Sequence, residues 1–245
     1  MIRQTVVPLA IVALAACSDA AGPNGRAMTM SFATNPGGAA AAANVAGLHA
    51  DVTLGDGTNT LVLTRVQLVL GEIELEPPGL TDCDNSGPGS SDCPEIRLAP
   101  AMVDLPLNGG VNTAFSTAIP EGSYHEVELK VDAVESDDVG SAAFFAAYPT
   151  FPRGKSVRVE GTFNGQPFVF TSSVEAEVEL EFEPPLTVDQ AGTNVTVNID
   201  VSSWFRSNGT LINPLGVDAQ SQISSNISAS FEVYHDDDRD GHRDD

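Results

Sequence analysis

The chain has 245 residues, 42% of them hydrophobic, and 34 acidic side chains against 11 Lys and Arg give it a formal net charge of -23. A charge of that sign repels nucleic acid and anionic lipid headgroups and leaves cationic partners open. No Gly-x-Ser-x-Gly elbow, His-Glu-x-x-His pair or phosphate-binding glycine loop is present, so no reaction is assigned and the chain is read as non-enzymatic.

Residues 1–16 read as a signal peptide: Arg3 supplies a positive start, Val6 to Ala13 an apolar run too short to span a bilayer, and Leu14-Ala15-Ala16-Cys17 a cleavage region. This layout resembles the bacterial lipoprotein box, in which the cysteine is acylated and becomes the first residue of the mature protein. The resemblance implies lipidation at Cys17 and a membrane held through that lipid. Ser18 after the cysteine implies the outer membrane, by similarity to enterobacterial sorting rules. Removing the signal leaves about 229 residues, enough for one large all-β domain.

Residues 17–27, with Gly22, Pro23 and Gly25, form a lipidated tether, and the folded body spans 28–235. Met28, Met30 and Phe32 alternate with polar residues as a first strand. His49 with these methionines could be imagined as a copper site, but methionines alternating along an apolar strand are read as core. A small-residue linker, Pro36 to Ala43, follows.

From Leu48 onward the hydrophobic period is two. Leu48 to Leu54 make a strand that turns at Gly55-Asp56-Gly57. Leu61, Leu63, Val66, Leu68 and Leu70 change phase at Gly71 to Ile73 and Leu75, which predicts a β-bulge. Val127 to Ala133 form another strand, on whose apolar face His125 is placed as a core histidine. Asn164-Gly165 joins Val157–Phe163 to Phe168–Phe170 as a hairpin. Further strands are predicted at Val174 to Phe182, Val195 to Val201 and Ile227 to Val233, and Trp204-Phe205 is read as core packing. Eight or nine strands without convincing helices predict an antiparallel β-sandwich, immunoglobulin-like or transthyretin-like.

Glu175, Glu177, Glu179, Glu181 and Glu183 share one face of a strand and are read as solvated, beside Arg158, with docking of a basic partner as the other reading. Cys83 and Cys93 lie in one Gly/Ser/Asp-rich stretch. In an oxidising envelope they are read as a disulfide rather than a metal pair. Within that stretch, Asp82 to Ser86 with Gly87 is spaced like a faint metal loop, although turn residues alone explain it.

The clearest motif is the acidic tail, residues 236–245. Asp236, Asp238, Asp240 and Asp244 occupy positions one, three, five and nine of a calcium loop, with Gly241 at six and the His242 carbonyl at seven. The spacing resembles the short Asp-x-Asp-x-Asp-Gly loops of dockerin and thrombospondin type-3 repeats. Calcium is therefore the expected cofactor, against a plain solvated acidic end. Lying beyond the last apolar strand, the tail is expected to be independent of the body.

Several phrases, among them Leu61 to Leu75, Val103-Asp104-Leu105-Pro106-Leu107, Ile119 to Tyr124, Val157 to Phe170 and Asp200 to Phe205, resemble a group of uncharacterised bacterial envelope lipoproteins. That resemblance implies a sandwich body and carries no activity. The expected role is structural, adhesive or ligand-binding, with a component or accessory module of a carbohydrate-acting hydrolase as the alternative.

Overall fold

The computed structural model describes residues 25–34, 51–76, 99–120, 122–188 and 193–243. The signal, Cys17, most of the tether, the linker, His49, the Cys83 to Cys93 stretch and Asp244 lie outside the described residues.

Two sheets make the sandwich. The smaller has four strands in the order β13 (Phe231–His235), β10 (Thr193–Ile199), β1 (Gly25–Thr34) and β5 (Val111–Pro120). The larger runs β8 (Gln166–Ser172), β7 (Val157–Phe163), β3 (Thr60–Glu76), β6 (Gly122–Val131) and β9 (Ala176–Val188), with β2 (Val52–Gly55) and β4 (Ala101–Asp104) also paired to β3. A short ribbon of β11 (Arg206–Ser207) and β12 (Thr210–Leu211) stands apart. The strands therefore outnumber the expected eight or nine. Among the described residues all pairings are antiparallel except β1 with β10, which is parallel and runs from Met28↔Thr193 to Thr34↔Ile199.

β3 is the spine of the larger sheet. Its first half pairs with β7 and its second half with β6, and the register shifts between Leu70 and Glu72 as the apolar pattern predicted. A second shift between Leu63 and Arg65 accounts for the three-residue step from Leu63 to Val66. The hairpin between β7 and β8 turns at Asn164 and Gly165, whose φ angles of 51° and 79° are those of a type I′ turn.

Met28, Met30 and Phe32 of β1 and Val195, Val197 and Ile199 of β10 face Leu61, Leu63, Leu68, Val127 and Val159 in one buried cluster. Trp204 and Phe205 are fully buried there, with Phe205 against the rings of Phe168 and Phe170 at 6.0 and 5.9 Å. Burying an aromatic or aliphatic side chain of this size contributes roughly 1.5–3 kcal/mol.

Four sequence expectations need correction. Ile227 belongs to a helix, α2 (Ala219–Ser228), in which Ala219, Ile223 and Ile227 are buried four residues apart. A second helix, α1 (Ser141–Ala147), covers Val69 with Phe144 in a satellite cluster that includes Val134 and Phe151. His125 is exposed, because the β6–β9 register shifts between Tyr124 and Glu126 and puts Tyr124 in the core instead. The glutamates of β9 are not beside Arg158 either. β9 pairs with β6, whereas Arg158 lies on β7 and bonds Glu160 and Gln67.

Candidate metal centre

The ladder between β13 and β10 ends at Val195↔His235, yet one further bond extends it, from the Asp236 N–H to the Asn194 carbonyl at 3.1 Å. Asp236 is thus still held in the line of the strand. Its side chain turns to the outer face of the small sheet and is fully buried. The carboxylate accepts the Thr196 hydroxyl at 2.7 Å and the N–H groups of Asp240 and Gly241, both at 3.1 Å. A buried carboxylate survives only with such donors.

The following residues curl around it. Asp238 Oδ1 accepts the Asp240 N–H at 3.2 Å, and Asp240 Oδ1 accepts the His242 N–H at 2.8 Å. Arg239 and Gly241 take positive φ angles of 59° and 85°, which close the loop. Packing there is tight as well, because a Cβ on Gly241 would stand 2.9 Å from Val111 Cγ2 and the valine would have to shift. Tyr234 donates its hydroxyl to the Gly241 carbonyl at 2.5 Å. Burial, with help from Asp236, Glu232 and Asp240, pushes that phenol up to about 12.

This curl brings oxygens of Asp236, Asp238 and Asp240 within 4.8 Å of one another. Asp236 is at the bottom, and Asp238 and Asp240 are exposed above it. Asp237 points the opposite way, with its Oδ1 near the Asn194 N–H, the Thr193 hydroxyl and the His235 ring at 3.1, 3.2 and 3.0 Å. The alternation expected from the sequence is therefore present, with odd positions converging and the even one turned back onto β10. His242 is exposed and engages Asp240 through its N–H, and Asp244 lies outside the described residues. A cleft of about 310 Å³ beside the loop, lined in part by Val111, Asn198, Asp240 and Arg243, leaves Asp240 open to solvent.

Chemically, three carboxylates on a tight loop could hold a metal ion. The donors are all oxygen, which suits hard cations over thiophilic ones.

The tail differs from expectation in its placement. It does not leave the body but folds back over β1 and β10, where Arg239 Nη2 reaches the Thr29 hydroxyl at 3.1 Å. The supporting residues Asn194, Thr196 and Thr29 carried no motif. Their one sequence signal is the polar half of the alternation in Thr193-Asn194-Val195-Thr196 and Met28-Thr29-Met30, which on an ordinary outer face would meet water.

No family model matches the chain, and no curated protein matches it. Among solved structures it is similar to MbnP from Methylosinus trichosporium, at 12% identity over 86% of this chain and 99% of that one, with a TM-score of 0.45.

Proposed function

We propose that this is a non-enzymatic, lipid-anchored protein of the bacterial envelope whose C-terminal loop binds calcium. The observation that carries the calcium reading is the convergence of Asp236, Asp238 and Asp240 around a turn closed by Gly241 at φ 85°. Calcium takes six to eight oxygens in flexible geometry, so three carboxylates supplemented by backbone carbonyls and water suffice, whereas magnesium demands a stricter octahedron. The affinity belongs in the weak range of extracellular modules, about 10⁻⁴ to 10⁻³ M. The anchor reading is supported by the layout of residues 1–17. A sandwich on a lipid tether suits structural, adhesive or ligand-binding work at a membrane surface, with calcium fixing one end of the smaller sheet.

Calorimetry tests the site. The wild-type protein is expected to bind about one calcium ion, and the double variant Asp238→Asn, Asp240→Asn to bind none. Those two carboxylates are exposed, and the variant leaves the buried Asp236 in place, so its fold is expected to be kept. Undiminished binding in the double variant would place the ion elsewhere.

A further inference from the structure

β1 is a central strand of its sheet, paired with β10 on one side and β5 on the other, and its inner face of Met28, Met30 and Phe32 is core. The opposite face carries Thr29 and Ser31, which are only 8% and 0% exposed. The C-terminal loop contributes to that cover, since Arg239 reaches Thr29 and Gly241 approaches Ala33.

One side chain joins the two. Asn194 Oδ1 accepts the Thr29 and Ser31 hydroxyls of β1, each at 2.8 Å. Its Nδ2 donates to the Asp236 carbonyl at 2.7 Å and to Thr196 Oγ1 at 3.1 Å, and Thr196 donates in turn to the Asp236 carboxylate. The acceptor end of one buried amide thus serves β1, and its donor end serves the loop. All four of its hydrogen-bonding places are used. If Asp236 swings out, Asn194 and Thr196 lose partners together, and a partly satisfied buried network is less stable than either a complete one or none.

We propose that loop and strand form a metal-controlled latch, in which an ion on Asp236, Asp238 and Asp240 holds β1 in its sheet through Asn194 and removal of the ion loosens β1. This rests on the calcium reading above. Three carboxylates this close repel one another, and a divalent cation reverses the sign of that interaction. An ion that draws the loop together therefore also seats Asp236 over Asn194. Linkage makes the effect reciprocal, so a seated β1 strengthens ion binding. β1 is also the described strand nearest in sequence to Cys17, so the latch acts on the element through which an anchored chain would be pulled.

The test is amide hydrogen exchange of the full chain in mild detergent, with and without calcium and with calorimetry in parallel. At calcium ten times its Kd, exchange of β1 amides is expected to slow by about tenfold. The β7–β8 hairpin in the other sheet, the internal reference for folding, is expected to stay unchanged. In Asn194→Ala, calcium still binds but β1 exchange no longer follows it. If that variant fails to fold, as the hairpin amides would report, Arg239→Ala replaces it; it removes the contact to Thr29 without touching a carboxylate and is expected to weaken the calcium dependence of β1. Calcium binding with unchanged β1 exchange overturns the latch. Absence of any calcium heat instead overturns the reading of the loop and, with it, the metal control of β1.

Discussion

Asp56 shows how much one side chain can organise here. It sits in the turn from β2 to β3, where its carboxylate accepts the N–H groups of Asn59 at 2.6 Å, Thr58 at 2.8 Å and Leu211 at 2.9 Å. The last of these ties the turn to β12, far along the chain. Read from sequence, Gly55-Asp56-Gly57 was a turn and nothing more, because the partner at Leu211 is 155 residues away. These bonds, the Asn59 N–H foremost, hold the carboxyl well below the usual aspartate range. A depressed carboxylate contributes stability that is present above its unfolded pKa and is lost as pH falls through the folded one. Asp56→Ala is therefore expected to melt below the wild type at pH 7, with the gap narrowing as pH drops below about 4. Thermal melts at several pH values check this, and a gap independent of pH would mean that the charge is not the source.

At the scale of elements, the outer face of β3, β6 and β9 sets glutamates opposite one another. Glu72, Lys130 and Glu177 form one cross-strand row, and Glu74, Glu128 and Glu179 the next. Like charges directly opposite are destabilising, and Lys130 relieves them, 2.6 Å from Glu128 and 3.6 Å from Glu72. Burial pulls the Lys130 ammonium down, but Glu128, Glu74 and Glu72 together raise it on balance. Glu177 is raised too, chiefly by the Glu128 charge and then by burial. A raised carboxyl favours folding below its unfolded pKa, and that contribution is lost as pH rises through the folded one. Glu177→Gln is thus expected to raise the melting temperature slightly at pH 7 and to leave it unchanged near pH 4. Lys130→Gln is expected to lower stability at pH 7 by about 1 kcal/mol or less, as befits a half-exposed pair. Equal effects at both pH values would contradict this account of the face.

The same elements show where sequence reading succeeds. The bulge in β3 and the Asn164-Gly165 hairpin were legible, because a phase change and a turn dipeptide are local signals. α2 was not legible. Gln220-Ser221-Gln222-Ile223-Ser224-Ser225-Asn226 has modest helix propensity, and the helix is fixed by packing of Ile223 and Ile227 and by Asn226 Nδ2, which approaches the carbonyls of Trp204 and Arg206 at 2.9 Å each. His125 failed for a related reason, since only the partner strand reveals the shift that turns it outward. At the C-terminal loop the carboxylates were legible from their spacing, whereas the bed of Asn194, Thr196 and Thr29 was not. Strand order alone brings those residues beneath the loop.

For the whole molecule, the sandwich followed from the period-two pattern, but the parallel pairing of β1 with β10 had no sequence signal and depends on the route between distant strands. Among the described residues no helix is long and apolar enough to cross a membrane. The proposed anchor at Cys17 rests on a separate observation, the layout of residues 1–17. Labelled palmitate is expected to enter the wild-type protein in cells and to be absent from Cys17→Ser; label retained by that variant would contradict the assignment.

The calcium loop is the central claim, and a crystal structure grown in millimolar calcium tests it most directly. The expected result is one ion at 2.3–2.6 Å from carboxylate oxygens of Asp236, Asp238 and Asp240, with the curl around Gly241 kept. An ion bound elsewhere, or a loop that holds only water at that concentration, would contradict it.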